Sequence, residues 1–374
     1  MGNHALLSAS SSHRWLNCSP SARLTENYPD KSSDFAAEGT DAHSLCEFRL
    51  KEALSLKAKN PIENLTWYNE EMESCASDYV SYILELIADA KKNCTNPKVL
   101  IEQRLNYSRY VESGFGTGDC IVIADGAIHV VDYKHGKGVE VDATQNSQMM
   151  LYALGALELF DRIYDINTIS MTVFQPRRSN ISTYTLSKDE LLDWANDVLV
   201  PTAKLAWNGE GEFHCGEWCG FCKAKADCRE RAESNLQMAR HDFKLPPLLT
   251  DDEVEEILSK VDELVSWAND IKTYALQSAI SGKEWSGYKL VEGRSNRKYT
   301  DETAVASAVK SAGYDPYEKK LLGITEMQKT LGKTKFDELL DAFIYKPQGK
   351  PTLVPASDKR QPINTAKNDF KEDN

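Results

Sequence analysis

The sequence predicts an α/β fold, a central mixed β-sheet flanked by helices, followed by a mainly helical C-terminal region. Two observations carry this expectation. β-rich runs at 97–107, 119–124, 127–134 and 168–175 alternate with long stretches of helical periodicity, and only helical periodicity of any length follows Leu245-Pro246-Pro247. A chain of 374 residues has room for a large unit and a smaller one, here drawn as 1–240 and 241–374.

Residues 36–55 carry helical spacing, and the run at 97–107 reads as a strand through Val99, Ile101 and Leu105. The runs 119–124 and 127–134 are joined by Asp125-Gly126, two residues that tolerate positive φ, which predicts a hairpin. Residues 144–160 are apolar nearly all round, as expected of a helix buried against a sheet. A strand at 168–175 and a helix over 186–207 follow. Beyond the boundary, Val254, Ile257, Leu258, Val261, Leu264, Val265, Ala268 and Ile271 predict one amphipathic helix of nearly five turns. A short β-like piece at 287–299 precedes two or three further helices up to about residue 345. The last thirty residues are polar and read as extended or partly disordered. The chain has no internal repeat.

Hydrophobic residues make up 41% and charged residues 27%, and no run approaches the ~18 apolar residues of a bilayer span. The start, MGNHALLSASSSHRW, lacks a basic segment and an apolar core, so the expected location is the cytoplasm, away from any membrane. In that reducing compartment the nine cysteines read as thiols or metal ligands. The net charge of −13 argues against a nucleic-acid partner, although much of the acid lies in 251–270. Basic residues gather instead at Lys134, His135 and Lys137, at Arg177 and Arg178, and between Lys223 and Arg231.

The hairpin has a chemical consequence. If Ala124 pairs with Ala127, Asp119 stands opposite Asp132, and strand alternation points Asp119, Asp132 and Lys134 to one face. Two opposed carboxylates with apolar flanks at Ile121, Ile123, Ile128 and Val130 repel, and a hard divalent ion such as magnesium or manganese would relieve the repulsion. Lys134 is placed to orient or help deprotonate an attacking water, or to neutralise charge developing on a phosphate. A surface hairpin with an Asp–Lys ion pair fits the same residues.

Gly39-Thr40-Asp41-Ala42-His43, Gly118-Asp119, Val131-Asp132-Tyr133-Lys134 and Gln148-Met149-Met150-Leu151-Tyr152 follow one another along 10–235. In that order they resemble the four motifs of RecB-like nucleases of the PD-(D/E)XK superfamily. The resemblance implies a restriction-endonuclease-like core. It also implies metal binding by His43, Asp119 and Asp132, a catalytic lysine at Lys134, and Gln148 and Tyr152 beside the site. An upstream glutamate near the metal in related nucleases makes Glu102 a further ligand candidate. Glu47, one turn after His43, either supports the ring or a second metal or is simply solvated.

Cys219, Cys222 and Cys228 are spaced for one metal centre that lacks a fourth ligand. Cys215 supplies it locally in a zinc knuckle. The iron-sulfur nucleases of the AddB type place one cysteine before the first motif and three after the fourth, and Cys18 occupies that early position. That resemblance implies a [4Fe-4S] cluster on Cys18, Cys219, Cys222 and Cys228, tying the two ends of the nuclease domain together. The whole chain also resembles a phage and prophage protein family. This implies a DNA exonuclease in recombination or replication, acting on ends or single strands beside a single-strand-binding or annealing protein. A structure-specific or restriction-type endonuclease, or a non-catalytic metal-stapled DNA-binding factor, are the rival readings.

Overall fold

The computed structural model describes residues 5–29, 33–239, 250–292, 299–317, 321–345 and 354. Five strands, β1 (Lys98–Asn106), β2 (Phe115–Ala124), β3 (Gly126–Tyr133), β4 (Ile166–Gln175) and β5 (Asn180–Ser187), form one sheet in sequence order. β3 and β4 are parallel and the other neighbours antiparallel, so the sheet is mixed, as expected. The parallel step needs a crossover, supplied by α5 (Ser147–Phe160).

Helices cover both faces. On one side α5 packs with the N-terminal helix α1 (Ser12–Asn17) and with α6 (Lys188–Trp194) and α7 (Val200–Asn208), burying Leu105, Ile121, Ile123, Ile128 and Val130. On the other, α3 (Asp34–Ala53) and α4 (Glu70–Asn93) bury Cys120, Val122, Val131, Tyr133 and Phe174. A four-residue helical turn, α2 (Ser21–Leu24), lies between α1 and α3. α4 and β5 have no counterpart in the sequence reading. α4 is nevertheless well marked, with Asn69 capping Met72, Glu70, Glu71 and Glu73 in its first turn, and Lys91 and Lys92 in its last.

The compact unit that holds the sheet runs to Ser278, beyond the boundary drawn at 240. Leu245-Pro246-Pro247 lies outside the described residues. Within this unit α8 (Arg229–Ala239) is joined to the following helices by Arg231, fully buried, which pairs with Glu263 and Asp270 at 2.7 Å each. The single amphipathic helix expected there is in fact two, α9 (Asp251–Leu258) and α10 (Val261–Ile280), broken at Ser259-Lys260. The second unit, Ala279–Asn374, contains α11 (Glu302–Ser311), α12 (Ile324–Leu331) and α13 (Lys333–Leu340). The β-like piece forms no strand at 287–292 or 299, and its remainder lies outside the described residues, as does nearly all of the tail.

The β2–β3 register matches the expectation, with Ala124 opposite Ala127 and Cys120 opposite Val131. Of the two turn residues, Asp125 and Gly126, only Gly126 takes positive φ, at +90°. One irregularity was not foreseen. Leu100 and Leu105, five residues apart, pack on the same core, as do Gly118 and Ile121, three apart on β2. Strict alternation forbids both, so each strand slips by one side-chain step. The pairing numbers do not change across the slip, from Ile101↔Cys120 to Gln103↔Gly118. The slip therefore falls on Glu102 and Asp119, and Glu102 takes it up with φ +49°.

Candidate metal centre and cysteine pocket

At the slip, Asp119 leaves the β2–β3 ladder and its side chain replaces a backbone bond, with Oδ2 accepting the Tyr133 N–H at 2.7 Å. The other oxygen, Oδ1, lies 3.3 Å from His43 Nδ1 on α3. Donor atoms of His43, Glu102 and Asp119 all fall within 4.8 Å of one another. The simple one-face geometry expected of Asp119, Asp132 and Lys134 is thus modified. Asp119 turns toward α3, whereas Asp132 stays on the α5 side.

Asp132 is buried, with Lys134 Nζ 2.8 Å from Oδ2 and Gln148 Nε2 donating to Oδ1 at 3.2 Å. Gln148 also donates to the Tyr152 hydroxyl at 3.1 Å. Asn146 makes this possible, because its side chain caps Gln148 and Met149 and so starts α5 with Gln148 in the first turn. Of the four metal-ligand candidates, His43, Glu102 and Asp119 converge; Asp132 stands next to them, held by Lys134. Glu47 pairs with Lys51, one turn along α3.

Burial raises the Glu102 carboxyl, and the Asp119 charge raises it further, to about 7. Burial would lower His43, but the charge and hydrogen bond of Asp119, with Asp132 behind it, win and lift it to about 9. Asp132 is raised chiefly by burial. Burial would lower Lys134, but Asp132 outweighs it and raises it. This is a set of acids short of positive charge. Two carboxylates and one imidazole suit a divalent ion such as manganese or magnesium, and the charge deficit at Glu102 is the observation that fits one. Tyr133, absent from the expected residues, fixes Asp119 through its N–H and packs edge-on against the His43 ring at 5.5 Å. Its place between Asp132 and Lys134 was the available signal.

The five cysteines Cys18, Cys215, Cys219, Cys222 and Cys228 line one pocket. α1 and its C-cap bring Cys18 there, and the loop after α7 brings the others. Cys219 accepts the Gly216 N–H at 3.5 Å. Burial raises the Cys222 thiol, against a backbone hydrogen bond from Ala224 and the Arg14 charge. Arg14, one helical turn before Cys18, was not among the expected residues. A hydrogen bond with Cys219 brings Cys215 down to about 7. Four of these five thiols could hold a zinc ion or an iron-sulfur cluster.

A family model described as "Protein of unknown function (DUF2800)" matches residues 4–361. The chain belongs to that family. The match takes in Cys18, His43, the whole sheet and the cysteine pocket. A solved structure titled "Crystal structure of SSO0001" aligns with 59% of this chain and 96% of its own length, at 14% identity and a TM-score of 0.23. A likeness at that score carries no argument. No helix among the described residues is long and apolar enough to cross a membrane.

Proposed function

We propose that this member of the DUF2800 family is a metal-dependent deoxyribonuclease of the PD-(D/E)XK kind. The reading rests above all on the convergence of His43, Glu102 and Asp119 beside a buried Asp132–Lys134 pair. The reaction is phosphodiester hydrolysis. Water adds to phosphorus, one P–O bond breaks, and the products are a phosphate monoester and a free hydroxyl. A Mg²⁺ or Mn²⁺ ion on His43, Glu102 and Asp119 would lower the pKa of water and polarise the phosphate.

The chain's own groups then divide the work. Lys134, kept protonated by Asp132, acts as a fixed cation that stabilises charge on the phosphate rather than as a base. Gln148 and Tyr152 hold Asp132 in place from the α5 side. A [4Fe-4S] cluster in the cysteine pocket has a structural part, since it would hold α1 against the segment after α7.

The test is to purify the protein anaerobically and incubate it with end-labelled and with circular DNA, with and without Mn²⁺. Metal-dependent loss of the end-labelled DNA alone is the outcome for an exonuclease; nicking of circles would make it an endonuclease. Asp119→Ala, Asp132→Ala and Lys134→Ala should each abolish cleavage and leave the circular dichroism spectrum unchanged. Binding without cleavage of any substrate would leave only a DNA-binding role.

A further inference from the structure

Arg14 on α1 and Arg231 on α8 both line the thiol pocket, brought there from distant parts of the chain. They face different sulfurs. Arg14 hydrogen-bonds to Cys222 and its charge also reaches Cys18, whereas the Arg231 charge reaches Cys215 and Cys219.

Neither guanidinium is fully matched by the protein. Arg14 Nη1 donates to the Ser21 carbonyl at 2.7 Å and to its hydroxyl at 2.9 Å, but no carboxylate among the described residues pairs with it. Burial lowers the Arg14 guanidinium below its ordinary value, and the Cys222 and Cys18 sulfurs act against burial. Arg231 is fully buried, with Nε on Glu263 and Nη1 on Asp270 at 2.7 Å each, yet its Nη2 has no partner among the described residues. A buried donor without an acceptor costs the folded state free energy and is rare in native proteins. Neutral thiols are weak acceptors and set no charge against Arg14. Four thiolates on a zinc ion, or on the oxidised core of a [4Fe-4S] cluster, form an anionic centre rich in sulfur acceptors. A centre of that sign supplies what both arginines lack.

We infer that Arg14 and Arg231 belong to the thiol site: Arg14 as the counter-ion of an anionic metal-thiolate centre, and Arg231 as a donor from Nη2 to one of its sulfurs. Because Arg231 also holds Glu263 and Asp270, the same side chain ties the centre to α10. The inference rests on the metal reading of the pocket, holds for zinc and for iron alike, and is independent of the nuclease chemistry.

For the test, the full chain is freed of metal by chelation under anaerobic conditions. It is then titrated with Zn²⁺ against a competing chelator, or reconstituted with ferrous iron and sulfide, and thermal midpoints are recorded for empty and loaded protein. Arg14→Met should lose about tenfold or more in Zn²⁺ affinity, as for other groups that support metal ligands, and the rise in midpoint on loading should shrink. Arg14→Lys, which keeps the charge, should keep most of both. With iron, Arg14→Met should lower the reduction potential, since a positive charge beside the cluster is gone. Arg231→Lys retains a cation for Glu263 and Asp270 without Nη2, and should also lose about tenfold in Zn²⁺ affinity. In nitrogen NMR spectra of the wild type, Zn²⁺ should shift the Arg231 side-chain resonances. A merely structural Arg14 would lower empty and loaded midpoints alike in Arg14→Met and leave Zn²⁺ affinity unchanged, which overturns the counter-ion. Unchanged Arg231 resonances, or wild-type affinity in Arg231→Lys, overturn the donor. A wild type that takes up neither zinc nor iron removes the metal reading of the pocket and the inference with it, and leaves the nuclease reading standing.

Discussion

At Glu102 the backbone takes φ +49°, a left-handed conformation that costs a residue with a side chain about 1–2 kcal/mol. The same carboxyl is raised to about 7 by burial and by Asp119, so the position is unfavourable twice over in the metal-free protein. Strain retained beside a cluster of donor atoms is what a binding site would need and a structural strand would not. Glu102→Gly should therefore stabilise the metal-free protein by up to about 1 kcal/mol, the relief of strain being partly offset by glycine's freedom in the unfolded chain. It should also weaken Mn²⁺ binding. Denaturant unfolding and a Mn²⁺ titration on the same preparation check the pair, and unchanged Mn²⁺ affinity would remove Glu102 from the site. A second residue-scale case concerns the buried Arg231. Burial would raise its partner Asp270, but Lys225 and Arg231 outweigh burial and hold that carboxyl below its ordinary value. A lowered folded pKa contributes stability above the unfolded value of about 4, and that stability is lost as pH falls through the folded pKa. Asp270→Asn should cost about 3 kcal/mol near neutrality, because it leaves Arg231 short of a partner. The gap to wild type should close as pH is lowered below 4, in thermal melts recorded across the acid range.

Among the elements, α5 shows how two glycines in helices answer to different causes. A Cβ at Gly155 would lie 2.8 Å from the Leu105 Cβ and 3.4 Å from the Leu105 carbonyl carbon, neither of which can move cheaply. Gly155→Ala should therefore destabilise by about 1–2 kcal/mol, overpacking outweighing alanine's better helix propensity, whereas Gly39→Ala should stabilise. Urea midpoints of the two variants settle the contrast. Periodicity also explains which elements were legible. The hairpin was readable because Asp125-Gly126 and the apolar flanks agree on one register, and α5 because its apolar run has only a helix to form. α4 was not found although its caps and charges were present. Its apolar residues, Met72, Tyr79, Ile83 and Ile87, are diluted by polar ones, and the signal lay in the termini. The 254–271 stripe was read as one helix because periodicity carries across Ser259-Lys260 without registering that the hydrogen-bond ladder stops there. β5 is an edge strand whose alternating half-buried pattern, Asn180–Ser187, leaves a faint apolar signature.

For the whole first unit, the N-terminal segment and the segment after α7 meet through more than thiols. Ser19 donates to the Glu210 carbonyl at 2.7 Å and Arg23 to the Trp207 carbonyl at 2.6 Å. A cluster there would reinforce a docking that hydrogen bonds already provide, so its loss should not unfold the sheet. Anaerobically purified protein should be brown and carry roughly four irons per chain. Cys18→Ser should lose iron and lower the thermal midpoint while keeping the far-ultraviolet spectrum, and Cys215→Ser should do neither. Retained iron in Cys18→Ser together with loss in Cys215→Ser would place the ligands among the four cysteines of 215–228.

The sequence by itself determined the mixed α/β sheet, the β2–β3 register and the buried helix between β3 and β4, whereas the grouping of Cys18 with the later cysteines was implied by the family resemblance. It could do so because period, turn chemistry and motif order are local or ordered along the chain. Only the tertiary structure decided that Asp119 leaves the β2–β3 ladder to join His43 and Glu102 while Asp132 remains with Lys134. That outcome depends on two matched slips, at Glu102 and Asp119, in strands whose pairing numbers never change. A backbone deviation that preserves register leaves no trace in hydrophobic spacing. The ion pairs that occupy Arg177, Lys137 and Arg231 were hidden for a related reason: each joins residues far apart in sequence, and only folding sets them side by side.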